Sequence, residues 1–402
     1  MSHPYPVGGH ELPPQMSGSA SLASAALPPA APRKKHTGAI LASLGLLAVV
    51  VVIAGVQLSA HAGYDSAEDA YRDSVSAAAV SAEGLRAEVG TLRATTDAAA
   101  LILANNSGTL LDAASTEALG VAVSEGQATA SAAEDALSVS LPETGQKPFW
   151  FWELFGETQR LDEQRAGAEA HTGDLTDRGE DAGTAAAAVN DSGVPALATA
   201  ASSASTLEAA HVSARNLDVI ALREAAEEVS STTSIDEYAA DAFIALESAA
   251  TQVVASEQAE IAEKAGPLQG TRLEVEAFAR SLAPGVLLEF DWSQIVNGFG
   301  LDGGMGGYTT WWYDDPGYAT IELSDSVAEQ WPSAMSQALV AHEVGHAISV
   351  KCADLYDDST QDSIEKWATG WAISMGFTDD ANGVWAYGYP PQSYIDAAAG
   401  CR

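Results

Sequence analysis

Residues 39–58 (AILASLGLLAVVVVIAGVQL) carry no charged side chain. A helix of that length, rising about 1.5 Å per residue, just crosses the roughly 30 Å hydrocarbon layer of a bilayer. The run therefore predicts a single N-terminal transmembrane helix, and it divides the rest of the chain into an inside and an outside. Arg33, Lys34 and Lys35 precede it, and Asp65, Glu68 and Asp69 follow. The positive-inside bias then places residues 1–38 in the cytoplasm and the remainder outside, in a single-pass protein of the cell membrane. The competing reading is a signal peptide cleaved after Ala60-His61-Ala62. The long preceding segment and the length of the apolar run favour an uncleaved anchor.

An extracytoplasmic setting changes how the two cysteines, Cys352 and Cys401, are read. Thiols on that side tend to oxidise, so one disulfide between them is expected, with two free buried thiols as the alternative. The formal net charge of -37, with only 18 Lys and Arg in 402 residues, argues against nucleic acid as a partner, because a phosphate backbone attracts cations. The carboxylate excess is read as a solvated extracellular surface.

Four segments are expected. Residues 1–38, rich in Pro, Ser, Ala and Gly, read as a disordered cytoplasmic tail, and 39–58 as the membrane helix. Residues 64–283 are dominated by Ala, Glu, Asp, Ser and Thr and read as an α-helical bundle or stalk. Leu85, Val89 and Leu92 supply a narrow apolar stripe there. Helix starts are expected at Ser66 and at Ser234-Ile-Asp-Glu237, the Ser-x-x-acid form of a capping box. Breaks are expected near Pro142, Val194-Pro195 and Gly266-Pro267. Leu141-Pro-Glu-Thr-Gly145 matches a wall-sorting pentapeptide but is followed by no second hydrophobic span and basic tail, so it is read as a turn. The aromatic stretch Pro148–Phe155 is expected to be core, with docking to a partner or the membrane interface as the alternative.

From about residue 284 to 402 aromatics and glycine rise, and a small α+β domain is expected. Val286–Trp292 and Tyr318–Leu323 alternate like strands, separated by a glycine-rich turn region at Gly298–Gly307. Helices are expected from Ser333 to about Val350 and from Thr360 to about Met375, ending at Gly376.

The first of these helices carries His342-Glu343-Val344-Gly345-His346. Histidines four apart project from one helical face, so two imidazoles can reach one metal ion. Glu343 stands next to the first of them, placed to take a proton from an activated water. A catalytic zinc needs a third protein ligand, and no histidine follows His346. A carboxylate must serve, and the candidates are Asp354, Asp357, Asp358, Asp362 and Glu365. The first three fall in a loop too close to the helix to fold back easily. Glu365 shares a helical face with Ala368 and Trp371, so a second helix packed antiparallel to the first could aim it at the metal.

Together, His342-Glu343-x-x-His346 and Glu365-x-x-Ala368 resemble the gluzincin pattern of thermolysin-like and aminopeptidase-type zinc metallopeptidases, over residues 318–376. The resemblance implies a zincin-like domain in which His342, His346 and Glu365 bind Zn and Glu343 is the general base. It identifies no subfamily. With no histidine left to steady an oxyanion, a tyrosine among Tyr387, Tyr389 and Tyr394 is expected to do so, and Tyr389 is the choice. The strand Tyr318–Leu323 resembles the cleft-lining edge strand of zincins, to which a peptide can add in extended form. The expected function is a membrane-anchored peptidase acting on a peptide or protein substrate, with a possible envelope partner for the helical region. Two alternatives are a non-enzymatic envelope scaffold with a structural zinc, and a metal-dependent amidase acting on wall material.

Overall fold

The computed structural model describes residues 37–314 and 317–402, with side chains from residue 46 onward. The expected cytoplasmic tail and its basic cluster lie outside the described residues. The described residues form two compact units: one comprises residues 37–66 with Gln146–Thr158, the other Ala67–Gly145 with Gln159–Arg402.

In the first unit the uncharged run lies within helix α1 (Thr37–Asn105). From Leu46 onward its apolar side chains are largely uncovered by protein, Leu47 at 62% and Leu58 at 72% exposure. It is the one helix, among the described residues, long and apolar enough to cross a membrane. No helix starts at Ser66, because α1 is already running there. The aromatic stretch corrects a second expectation. Phe149, Trp150, Trp152 and Phe155 are all about half exposed or more, and Leu154 is the buried residue among them. A helix buries one stripe, and rings at nearly successive positions point away from it as well as into it.

The helical part of the second unit packs small residues against leucines. Leu85, Val89 and Leu92 of α1 are buried with Ala130 and Ala133 of α2 (Ala113–Leu137) and Leu175 and Ala182 of α3 (Phe151–Ala210). A second cluster joins Leu197 of α3, Leu222 of α4 (Asn216–Ser230) and Phe243 and Leu246 of α5 (Glu237–Glu263). The chain breaks near Pro142 and Gly266-Pro267 as the sequence indicates, but α3 continues through Pro195. A helix-interior proline costs about 3 kcal/mol. Burial of Val189, Ala196, Leu197 and Ala200 on the same helix offsets it. The α5 cap is Asp236, which accepts from Ala239 N, while Ser234 bonds to the Asp236 carboxylate instead of capping.

Helix α6 (Gln269–Leu282) leads into a three-stranded sheet. Strand β1 (Leu287–Ser293) runs parallel to β3 (Tyr318–Ser324), and β2 (Gly307–Trp312) pairs antiparallel to its other side, giving the order β1-β3-β2. The strand expected at the edge, Tyr318–Leu323, is therefore central, and the edge beside the site is β2. No strand is expected there from the sequence, which between the two strands shows only the glycine-rich turn region Gly298–Gly307, although Tyr308-Thr-Thr-Trp-Trp312 is rich in strand formers. Ala319, Ile321 and Leu323 are fully buried under α8 (Ala334–Ile348), with α7 (Asp325–Glu329) leading in. Helices α9 (Gln361–Ser374), α10 (Val384–Tyr387) and α11 (Gln392–Ala398) complete a mixed α/β region. A Cys352–Cys401 disulfide ties the segment just after α8 to the segment just after α11.

This region is joined to the helices through a buried ion cluster. Lys264 Nζ, 3% exposed, lies 3.3 Å from Glu260 and 3.2 Å from Glu276. Arg215 also pairs with Glu260, and Arg280 and the Trp292 indole bond to Glu276. Each buried carboxylate thus has its cation within the protein.

Candidate metal centre

Helices α8 and α9 are both started by hydroxyl caps. Ser333 accepts from Ser336 N, and Thr360 exchanges bonds with Ser363 in a capping box. Where they cross, a Cβ on Gly345 would lie 2.8 Å from Ala368 O and 2.9 Å from its Cα, so glycine is required for this approach. The Trp367 indole donates to Gly345 O at 3.1 Å and locks the crossing. Close helices are what allow a carboxylate one turn from Ala368 to reach histidines on α8.

The result is a buried triad. His342 Nε2, His346 Nε2 and Glu365 Oε2 are separated by 3.2, 3.1 and 3.3 Å, and each residue is only 5–6% exposed. A tetrahedral zinc site with bonds of about 2.0–2.1 Å has ligand-to-ligand edges of about 3.3 Å, which the triad matches. The donor chemistry fits as well. His342 Nδ1 donates to Asn382 O at 2.9 Å, which leaves the lone pair of Nε2 facing inward. Gln361 holds the outer Glu365 oxygen at 2.7 Å and leaves Oε2 free to point in. Lone pairs meeting at one point in a buried site require a cation between them. His346 Nδ1 is buried without a hydrogen-bond partner among the described residues, and its ring is held by Trp311, stacked at 5.5 Å and 9°.

The same electrostatics appear in the ionisation of the ligands. Burial alone would push the Glu365 carboxyl up, yet imidazoles that take up a proton where no metal stands between them bond to it and hold it well below the usual range. Burial opposes protonation of His342, but the Glu365 bond and the Glu343 and Glu365 charges raise its pKa. The triad thus stabilises positive charge at its centre.

Glu343 is buried beside the triad, and Thr309 Oγ1 of β2 donates to its Oε2 at 2.7 Å. A Cβ on Gly307 would fall 2.4 Å from Glu343 Oε1, so a glycine here is what admits the carboxylate against the strand. Glu343 and His342 open onto a cleft of 410 Å³ whose other walls include Phe299, Leu339, Trp385 and Tyr387.

Of the residues singled out from sequence, His342, Glu343, His346 and Glu365 come together. Asp354, Asp357, Asp358 and Asp362 are exposed, and Asp362 pairs with Lys366 on its own helix. Tyr389 is 68% exposed and is not among the residues lining the cleft. Tyr387 does line the cleft, with its ring stacked 6.0 Å from that of His342. Its hydroxyl is pushed up to about 12, first by burial and then by Glu365. Thr309, Asn382, Trp311 and Gly383 were not legible, since each acts through a contact made only in the folded chain. Gly383, at φ +103°, lets the backbone pass where a Cβ would strike Thr369 and the His342 ring.

No protein-family model, curated protein or solved structure matches this chain. The triad itself matches the gluzincin HExxH…E zinc-binding pattern, without indicating a subfamily.

Proposed function

We propose that this protein is a membrane-anchored zinc peptidase that hydrolyses peptide bonds outside the cell. The observation that carries the reading is the meeting of three buried lone-pair donors at tetrahedral spacing, with a fourth ionisable group, Glu343, between them and a cleft. A purely structural zinc closes its coordination with protein ligands and needs no adjacent base.

His342, His346 and Glu365 would hold the metal. Zinc in such a site polarises a carbonyl and acidifies water, which is the chemistry peptide hydrolysis needs. Glu343 would accept the proton from the attacking water and return it to the leaving amine, and Thr309 would orient its carboxylate for both tasks. Tyr387 is the better candidate than Tyr389 for donating to a developing oxyanion, because it lines the cleft and stays protonated at neutral pH. The unpaired side of β2, rather than β3, would receive an extended substrate. The exposed apolar run of α1 supports anchoring, with the N-terminus cytoplasmic by the positive-inside bias.

The test uses the full-length chain in detergent: metal content by atomic emission, and cleavage of a peptide library by wild type and Glu343→Gln. Near-stoichiometric zinc, with activity abolished in the variant, is expected. A protein that purifies without zinc, or a variant of full activity, overturns the assignment.

A further inference from the structure

The peptidase reading leaves the aromatic stretch after Lys147 unused. Phe149, Trp150, Trp152 and Phe155 are 69, 48, 56 and 53% exposed. They form one patch: Trp150 and Trp152 stack at 5.0 Å and 7°, and Phe149 meets Trp150 edge-on at 5.0 Å. Exposing four large rings to water in one place is costly, so something covers them.

Their position says what. The patch belongs to the same compact unit as the apolar run, and Gln57, next to the last residue of that run, fastens it there. The Gln57 amide donates to Phe149 O and accepts from Phe151 N at 3.1 Å. Lys147 pairs with Asp65 and lies 5.4 Å over the Tyr64 ring. Asp65 is eight residues beyond Gln57, or about 12 Å along a helix. Along α1 the surface therefore passes from bare aliphatic side chains, to tryptophan and phenylalanine at Gln57, to paired charges at Asp65. That is the polarity profile of a bilayer from acyl chains to headgroups, and amphipathic rings collect at its boundary.

We propose that Phe149, Trp150, Trp152 and Phe155 insert into the outer headgroup boundary of the membrane as a second foothold beside the spanning helix. The proposal rests on the reading that residues 39–58 cross the bilayer. A single helix can rotate about its own axis in the bilayer, whereas two contacts on lipid, joined through Gln57, fix the rotation of this unit relative to the surface.

The experiment reconstitutes the full-length protein in phosphatidylcholine vesicles that contain a lipid brominated near the headgroup end of its acyl chains. Tryptophan emission is compared between wild type and Trp150→Phe/Trp152→Phe, which keeps an aromatic ring at both exposed positions. The chain holds nine tryptophans, so the substitution reports on two of them by difference. Expected are quenching of wild-type emission and loss of at least half of that quenched emission in the variant. Equal quenching by the brominated lipid in both proteins, or quenching of the same two rings by aqueous iodide, which finds them in water, overturns the proposal. Alkaline carbonate washing separates the two readings. A protein released by the wash sinks the membrane-spanning reading, whereas one that is retained but shows no ring-dependent quenching sinks only the foothold.

Discussion

The helical region and the mixed α/β region both bury charge, and they treat it in opposite ways. At the junction, Lys264 lies between Glu260 and Glu276, and Arg215 and Arg280 add further cations, so the cluster is satisfied by the protein itself. Around α8 and α9, two imidazole nitrogens and a carboxylate converge with no Lys or Arg among their contacts in the described residues. A buried paired cluster serves the fold, since breaking it strands a charge. A buried cluster of acceptors alone must be completed from outside, and that incompleteness marks a site for chemistry.

The contrast can be broken by mutations that should separate activity from stability. The largest effect is expected from Glu343→Gln, a loss of about 10²–10⁴-fold in peptide cleavage, with zinc content and melting temperature unchanged. A variant that melts early or loses its zinc would make Glu343 a structural residue and erase the difference between the regions. Lys264→Met should do the reverse. It leaves Glu260 and Glu276 facing one another with fewer cations, at a cost of about 3–5 kcal/mol in chemical denaturation, while the folded fraction keeps its zinc and its turnover. Loss of zinc at full stability would mean that the junction serves the metal site. Removing the disulfide by Cys352→Ser/Cys401→Ser releases a loop of 49 residues. The chain-entropy estimate is about 4 kcal/mol, again read by denaturation against metal content.

The two regions also differed in how far they could be read from sequence. In the mixed region the caps and periodicity of α8 and α9 were explicit, since Ser333 and Thr360 precede clear apolar patterns. The exhaustion of histidines after His346 narrowed the third ligand to a few carboxylates. What the sequence hid was tertiary: β2 behind its glycine run, the central place of β3, and Tyr387 against His342. In the helical region composition announced helix but not its punctuation. Alanine tolerates many registers, so the uninterrupted course of α1 through Ser66 and of α3 through Pro195 was decided by burial rather than local signals. The aromatic patch is exposed where core is expected, for the related reason that burial of a ring depends on what packs beside it, which the local pattern does not carry.

The tyrosines give the smallest and most discriminating test. Tyr387 and Tyr389 are two residues apart with identical side chains, so a difference between Tyr387→Phe and Tyr389→Phe can come only from position. If Tyr387 donates to the developing oxyanion, its removal should lower kcat about 10²-fold with KM nearly unchanged, because the bond exists only in the transition state. Tyr389→Phe, altering an exposed ring, should leave both constants as they are. The pH profile adds a second constraint. The Tyr387 hydroxyl is pushed up to about 12, so the donor stays protonated above the ordinary tyrosine range. Ionisation of Tyr387 should then cause no fall in kcat between pH 9 and 10, an interval around the ordinary tyrosine pKa of about 10. A wild-type alkaline limb in that interval that disappears in Tyr387→Phe would show that the hydroxyl titrates normally and is less enclosed than its packing against His342 implies. Equal losses in the two phenylalanine variants would instead remove the oxyanion role from this loop, leaving Glu343 and the metal ligands as the whole of the catalytic apparatus.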